Sequence, residues 1–196
     1  MIEGENEFMT DVLFYQNYTY VADISAIVLC IICWLLLHSS YTVREKSLII
    51  FKAGTVCLMM ATVCSISFHT AITRITESRK ILIYVLQDGI YLLLILTFVL
   101  LCNYFGTLLK LEERPARLLG AVSWGGYAVF AFLEIGSPFT HLGFYIDADL
   151  MVHQNFYFDP FRFAYIYYCI VLVVVLFTYR KKFCLLYTSP SPRDGA

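Results

Sequence analysis

The chain has 196 residues, of which 60% are hydrophobic and only 15% are charged, and its formal net charge is -1 at pH 7. Ordinary soluble domains carry roughly 25% charged residues, so this composition argues against a soluble domain and favours a membrane protein. The near-zero net charge and the lack of long blocks of like charge exclude a global basic field, and we expect no nucleic-acid partner.

The first segment, residues 1–17, is acidic and is expected to lie outside the cell. It contains Glu3, Glu5, Glu7 and Asp11, and no Lys or Arg precedes Arg44. A secretory signal requires a positively charged start, so this segment does not resemble a cleaved signal. The first apolar stretch is therefore expected to remain in the mature protein.

Five apolar stretches of 17 to 24 residues follow, at 21–37, 48–67, 81–104, 118–135 and 163–179. Roughly 17 to 25 helical residues cross the hydrocarbon core of a bilayer, so each stretch is long enough to span a membrane. The runs lack the alternation of a transmembrane β-barrel, and lipid leaves helices as the other spanning structure. The sequence predicts an all-α polytopic transmembrane bundle over residues 18–183, with five helices.

Basic residues predict the orientation of this bundle, because cytoplasmic loops keep an excess of Lys and Arg. One side carries nine of them: Arg44, Lys46, Lys52, Lys110, Arg114, Arg117, Arg180, Lys181 and Lys182. The other side carries at most four: Arg74, Arg79, Lys80 and Arg162. The pattern places the N-terminus outside and the end of the last span inside.

Four ionisable residues lie within the apolar stretches, where they cost free energy unless they are paired or hydrated. Asp23 and Glu134 fall near the outer ends, and Lys52 can extend its stem to the inner surface, so we predict structural roles for these three. Asp88 lies roughly 10 Å into its span at about 1.5 Å per residue and is expected to face the bundle interior. It is either a structural polar contact or a residue that binds a ligand or couples a signal.

The segment 136–162, between the fourth and fifth spans, combines His and Asp residues with many aromatic residues. Its candidate ligand-binding residues are His141, Tyr145, Asp147 and His153. Their spacing matches no compact zinc signature, so no metal is expected. Two interpretations remain open: an aromatic segment that caps the bundle, and a pocket in which rings contact a small molecule or peptide while His and Asp orient it.

Catalytic motifs and disulfide frameworks find no support in the sequence. It contains no GxxxxGK, GxSxG or HExxH motif and no kinase signature. Six of the seven cysteines lie inside the apolar stretches, a distribution unlike that of a disulfide framework. We expect the chain as given to be neither an enzyme nor a binder of a cofactor.

The end of the chain reads CLLYTSPSPRD from Cys184 to Asp194. The same eleven residues result from translating a transposase adapter used in sequencing libraries. We interpret residues 184–196 as adapter-derived and leave them out of fold reasoning, as one would an expression scar. The genuine sequence within this chain is then expected to end near Lys182 or Phe183, and any domain that follows in the intact protein is expected to be missing.

The run SPFTHLGFYID, at residues 137–147, resembles the outer-loop signature of a bacterial membrane sensor family. In that family a seven-helix N-terminal region precedes a cytoplasmic GGDEF diguanylate cyclase domain or, in relatives, a histidine kinase. A looser likeness covers YTYVADISAIVL at 18–29 and LVVVLFTYRKKF at 172–183. Asp159 and Pro160 stand where family members often have Gly-Pro.

The resemblance implies a five-helix fragment of a seven-helix sensory region in the bacterial cytoplasmic membrane. The intact parent would be a homodimer that makes cyclic di-GMP from two GTP in response to an extracellular small molecule or peptide. A histidine kinase sensor region, a transporter or channel subunit, and a non-catalytic membrane scaffold remain as alternatives.

Overall fold

The computed structural model describes residues 20–36, 46–73, 75–147, 150, 152–154 and 159–181. The predicted outer segment 1–17 and the adapter-like segment 184–196 lie outside the described residues. So do Arg44, Arg74 and Lys182, three of the residues that predict the orientation.

The described chain is almost entirely helical, which confirms the predicted all-α bundle. Its elements in chain order are helix α1 (Tyr20–Leu36), α2 (Lys46–Ile72), α3 (Glu77–Leu108), α4 (Glu113–Ile135), the short α5 (Ser137–Thr140), strand β1 (Phe144–Ile146), strand β2 (Val152–Gln154) and α6 (Pro160–Thr178). Helices α2, α3, α4 and α6 are long and apolar enough to cross a membrane, whereas the described part of α1 is shorter. The chain therefore has the build of a multi-pass membrane protein surrounded by lipid.

Helix α3 is the central element, since it packs against α2, α4 and α6. A buried apolar cluster fills the space between α3, α4 and α6 and comprises Ile95, Val99, Cys102, Leu119, Ala164 and Tyr168. Helix α1 joins the bundle through α2, where the Ser65 hydroxyl donates a hydrogen bond to Asp23 at 2.7 Å. That bond gives Asp23 the structural role that its position predicts.

Helices α4 and α6 approach closely because Gly126 has no side chain. A Cβ atom added at Gly126 would lie 2.5 Å from the Tyr167 ring. The hydroxyls of Tyr167 and Tyr168 donate hydrogen bonds to the backbone carbonyls of Val122 and Ser123, at 2.9 and 2.7 Å. The tyrosines of α6 thus tie it to α4 inside the bundle, where a polar group requires a partner.

Helix α6 begins at two local signals. The Asp159 side chain accepts a hydrogen bond from the Phe161 backbone N–H at 3.0 Å, and Pro160 occupies the first turn. An Asp N-cap satisfies one of the free N–H groups at a helix start, and Pro at the first position lacks the N–H that would otherwise go unpaired. Asp159 and Pro160 therefore favour the start of a helix at this position.

The segment between α5 and α6 contains a small antiparallel hairpin that the sequence analysis does not predict. Strands β1 and β2 pair Phe144 with Gln154, Tyr145 with His153, and Ile146 with Val152. Because successive residues of a strand point to opposite faces, Phe144 and Ile146 share one face and Tyr145 occupies the other. We call the part of the molecule that carries these strands the hairpin end of the bundle.

Candidate functional site

The inner face of the hairpin is packed onto the ends of α2 and α3. Phe144 and Ile146 are each only 5% exposed, and they form a buried cluster with Phe68 and Ile83. The Phe144 ring lies edge-to-face against the rings of Phe68 and Tyr84, with centroids 5.7 and 5.8 Å apart. The hairpin therefore caps the bundle, as one of the two interpretations of this segment predicts.

Polar bonds hold the hairpin in the same place. The Tyr84 hydroxyl accepts a hydrogen bond from the Ile146 N–H at 2.7 Å, and the Lys80 ammonium donates to the Asp147 backbone carbonyl at 3.0 Å. Both partners belong to the first two turns of α3. A movement of the hairpin would therefore break bonds to α3 or move α3 with it.

The start of the hairpin is held close to α5. The Ser137 hydroxyl donates a hydrogen bond to the Phe144 carbonyl at 3.3 Å. A Cβ atom at Gly143 would lie 2.7 Å from that hydroxyl oxygen, so only glycine fits this approach. His141, between the two, has a left-handed backbone with φ of 55°, which turns the chain from α5 into β1.

The outer face of the hairpin brings together four residues that the sequence analysis selects: His141, Tyr145, Asp147 and His153. The Tyr145 ring stacks on the His153 ring at 4.9 Å, and the His141 ring meets Tyr145 edge-on at 4.3 Å. His153 Nε2 lies 2.9 Å from Asp147 Oδ2. We call these four residues the hairpin cluster.

The hairpin cluster is accessible from water. The side chains of His153 and Asp147 are 45% and 34% exposed, and His141 is also exposed. Two imidazoles, a carboxylate and an aromatic ring offer hydrogen-bond donors and acceptors beside an apolar contact surface. Among the described residues no group of three or more His, Cys, Asp or Glu is placed to hold a metal ion.

Asp88, the fifth candidate, belongs to a different group of residues. It is half-buried on α3, one turn beyond Tyr84. Two buried carboxyl groups belong to the neighbouring helices: Glu134 in the last turn of α4 and Asp159 at the start of α6. We call Asp88, Glu134 and Asp159 the carboxyl cluster.

The sequence analysis does not predict the burial of Glu134. Its place near the end of a span suggests a side chain that reaches water, yet Glu134 is 1% exposed. Its Oε2 atom is buried and has no hydrogen-bond partner among the described residues. Depth along a helix can be counted from sequence, but the face on which Glu134 lies depends on how α3 and α6 pack around α4.

A second feature lies away from the hairpin end. Helices α1, α2 and α3 enclose a mostly apolar cavity of about 300 Å³, and residues of its wall include Cys30, Cys33, Gly54 and Tyr104. The hydroxyl groups of Thr55 and Thr97 belong to residues of the same wall.

Comparison with known proteins gives no match: no family model, curated protein or solved structure is similar to this chain. The family resemblance of residues 137–147 therefore remains a prediction from the sequence.

Proposed function

We propose that this chain is the membrane-embedded sensory region of a signal-transduction protein, with the hairpin cluster as its signal-binding surface. One observation carries the proposal: a single hairpin exposes His141, Tyr145, Asp147 and His153 on one face and is bonded to the bundle through the other. A sensor requires a surface that a signal can reach and a firm connection to the spanning helices. In the proposed orientation five helices cross the membrane and the hairpin faces the cell exterior.

The signal we propose is a small molecule or peptide with polar groups beside an apolar part. Imidazole nitrogens and the Asp147 carboxylate would orient such a ligand, while the Tyr145 ring would supply apolar contact. Because His153 and Asp147 already lie 2.9 Å apart, a ligand that inserts between them has to replace that contact. The ligand can thus change the hairpin as it binds.

Transmission would follow from the bonds between the hairpin and α3. A ligand shifts a conformational equilibrium only if it binds the two states unequally. A change in the hairpin acts on Tyr84 and Lys80, and α3 in turn packs against α2, α4 and α6. We propose Asp88, one turn beyond Tyr84, as a residue that couples this shift to the bundle interior.

The proposed output is synthesis of cyclic di-GMP by a cytoplasmic domain of the intact parent, acting as a homodimer. The resemblance of SPFTHLGFYID to the outer-loop signature supports this output, and that run forms α5, β1 and the turn between them. A histidine kinase output would use the same sensory region.

Recovery of the intact reading frame from the source DNA tests the proposal. We expect a GGDEF domain after the last helices, and cyclic di-GMP levels in cells that change several-fold when His153→Ala is introduced. Glu112→Ala, an exposed substitution at the start of α4, is the matched control and should leave the level unchanged. A stop codon soon after Phe183, or solute flux through the reconstituted protein, would contradict the sensor proposal.

A further inference from the structure

A further cavity lies between α2, α3 and α4, at the end of the bundle opposite the hairpin. Its volume is about 450 Å³, within the roughly 300–1,000 Å³ of protein ligand pockets. One part of its wall is apolar and includes Ile50, Leu100 and Leu119. The other part is polar and consists of Asn103, Thr107 and Lys110. The cavity can therefore contact a ligand that has both an apolar and a polar part.

The polar part of the wall offers hydrogen-bond donors to a ligand. The Thr107 hydroxyl is bonded within α3, because it donates to the backbone carbonyls of Asn103 and Tyr104 at 3.0 and 2.8 Å. The Asn103 amide and the Lys110 ammonium form no hydrogen bond or ion pair with another described residue. An ammonium group only donates, and its strongest hydrogen bonds are to anionic oxygens. This part of the cavity therefore favours an anion.

The way in which α3 ends fixes the position of Lys110. The Leu111 N–H donates to the Gly106 carbonyl at 3.2 Å, and the Lys110 N–H donates to the Thr107 carbonyl at 3.1 Å. These two bonds form a Schellman motif, in which the residue after the helix cap has a left-handed backbone, and φ of Lys110 is 46°. Glycine is the usual residue there, because other residues are strained in that conformation. Here a lysine occupies the position and places a cation in the cavity wall.

The charge of this end of the bundle is complementary to an anionic ligand. We call it the basic end, because its described residues include seven basic side chains and two acidic ones. The basic residues are Lys46, Lys52, Lys110, Arg114, Arg117, Arg180 and Lys181, and the acidic residues are Glu112 and Glu113. Basic pockets between spanning helices are a recurrent site for the headgroups of anionic lipids.

Aromatic residues place the basic end at the level of lipid headgroups. Trp34 lies near the end of α1, and the Lys52 ammonium is 5.7 Å from the centroid of its ring. Tyr104, one turn before the end of α3, contacts the Phe51 ring with centroids 5.5 Å apart. Trp and Tyr are enriched where a membrane meets water, and Lys extends its charge to the same level. The polar part of the cavity therefore lies near the phosphate groups of the bilayer, and Leu100 lies deeper.

The apolar cavity between α1, α2 and α3 does not have these features. The hydroxyls of Thr55 and Thr97 donate to carbonyls of their own helices, those of Phe51 and Leu93, at 3.0 and 2.9 Å. The described residues of its wall carry no charge. An anionic headgroup is therefore matched by the cavity that contains Lys110.

We infer that the cavity between α2, α3 and α4 binds an anionic phospholipid, with its phosphate at Lys110 and Asn103 and an acyl chain along Ile50, Leu100 and Leu119. Inorganic phosphate would use only the polar part of the wall, and a purely apolar molecule would use only the other part. A phospholipid joins both parts in one molecule, and the bilayer surrounds the helices with it. The inference does not rest on the proposed function, because a sensor, a transporter or a scaffold could bind the lipid.

Native mass spectrometry of the full chain with added dioleoyl phosphatidylglycerol tests the headgroup contact. We expect a phospholipid to stay bound to the wild type, and Lys110→Gln should weaken its binding about fivefold, the effect of one lost charge near a bilayer. Lys110→Arg keeps the charge and should bind like the wild type. Lys181→Gln is the matched control, because it removes an exposed charge of the basic end beyond α6. Equal weakening by Lys110→Gln and Lys181→Gln would overturn the inference.

The choice of lipid separates the phosphatidylglycerol headgroup from other ligands. Dioleoyl phosphatidylcholine has the same acyl chains and no net charge, so it should bind more weakly, and equal binding would overturn the inference. Inorganic phosphate should not displace the bound phosphatidylglycerol. Displacement would show that an anion alone fills the site and would contradict the lipid assignment.

A substitution in the apolar part of the wall tests the acyl-chain contact. Ala116→Phe, on α4, fills part of the cavity and should remove most of the bound lipid. Ala121→Phe makes the same change on α4 outside this cavity and should leave the lipid bound. Unchanged binding by a folded Ala116→Phe variant would overturn the inference. Thermal unfolding shows whether each variant is folded, and the Lys110 variants decide the question if Ala116→Phe is not.

Discussion

Two groups of ionisable residues lie at the same end of this molecule and differ in how their charges are satisfied. In the hairpin cluster, His153 and Asp147 are in contact at 2.9 Å and both are partly exposed to water. In the carboxyl cluster, Glu134 and Asp159 are almost completely buried, and Oε2 of Glu134 has no hydrogen-bond partner among the described residues.

This contrast shows which of the two clusters can exchange its contacts with a small loss of free energy. An exposed contact between charged groups contributes little to stability, since water replaces what is lost. A buried carboxyl group has no such replacement, so changing its surroundings costs more free energy. The contacts of the hairpin cluster can therefore be exchanged at a lower cost than those of the carboxyl cluster.

Tyr84 joins the hairpin to α3, and its removal should have the largest effect. Its hydroxyl bonds the Ile146 N–H, its ring contacts Phe144, and Asp88 lies one turn further along α3. Truncation of a packed aromatic side chain predicts a loss of about 3 kcal/mol in the free energy of unfolding for Tyr84→Ala. Thermal unfolding in detergent measures it, together with limited proteolysis of the hairpin.

Tyr84→Phe is the matched control, because it keeps the ring contact and removes both hydrogen bonds of the hydroxyl, which accepts from the Ile146 N–H at 2.7 Å and donates to the Ile146 carbonyl at 3.5 Å. A loss of about 1 kcal/mol is expected, since the longer bond contributes little. If Tyr84→Ala left the proteolysis of the hairpin unchanged, the anchoring of the hairpin through Tyr84 would be wrong.

The spanning helices could be predicted because their signal is long and depends only on apolar content. Each of the five predicted stretches lies in a helix, apart from Leu37, which is outside the described residues, and Tyr179, which follows the end of α6. The candidate residues of the outer segment could be selected by chemistry alone. Their assembly around Tyr145 could not, because it requires the pairing of Tyr145 with His153 across the hairpin.

The hairpin and the burial of Glu134 could not be predicted from the sequence, for different physical reasons. Strands of three residues are too short to show alternation, and the turn into β1 depends on the left-handed backbone of His141. The burial of Glu134 depends on the packing of α4 against α3 and α6, whose residues are distant from it in sequence. An acidic residue near the end of an apolar stretch is the available signal, and it does not distinguish a buried face from a hydrated one.

Substitutions of Asp159 test the buried carboxyl cluster. Asp159→Ala removes the N-cap of α6, so the free energy of unfolding should fall by about 1 kcal/mol. Asp159→Asn keeps a capping oxygen and removes only the charge, so it should lose much less stability. Thermal unfolding of both variants at neutral pH gives the difference. Equal losses would show that the charge of Asp159, rather than its cap, supports the fold.

A substitution of Asp147 tests the exposed hairpin cluster and should have the smallest effect on stability. Asp147→Asn removes the charge facing His153. It keeps the hydrogen bond from the Lys80 ammonium to the backbone carbonyl of the same residue, so the hairpin stays attached to α3. The change in the free energy of unfolding should be about 0.5 kcal/mol or less, as for other exposed ion pairs. The same thermal unfolding assay, run beside Asp159→Ala, measures it. A loss as large as that of Asp159→Ala would mean that the Asp147 carboxylate supports the fold, and the hairpin cluster would then have no low-cost contact for a ligand to displace.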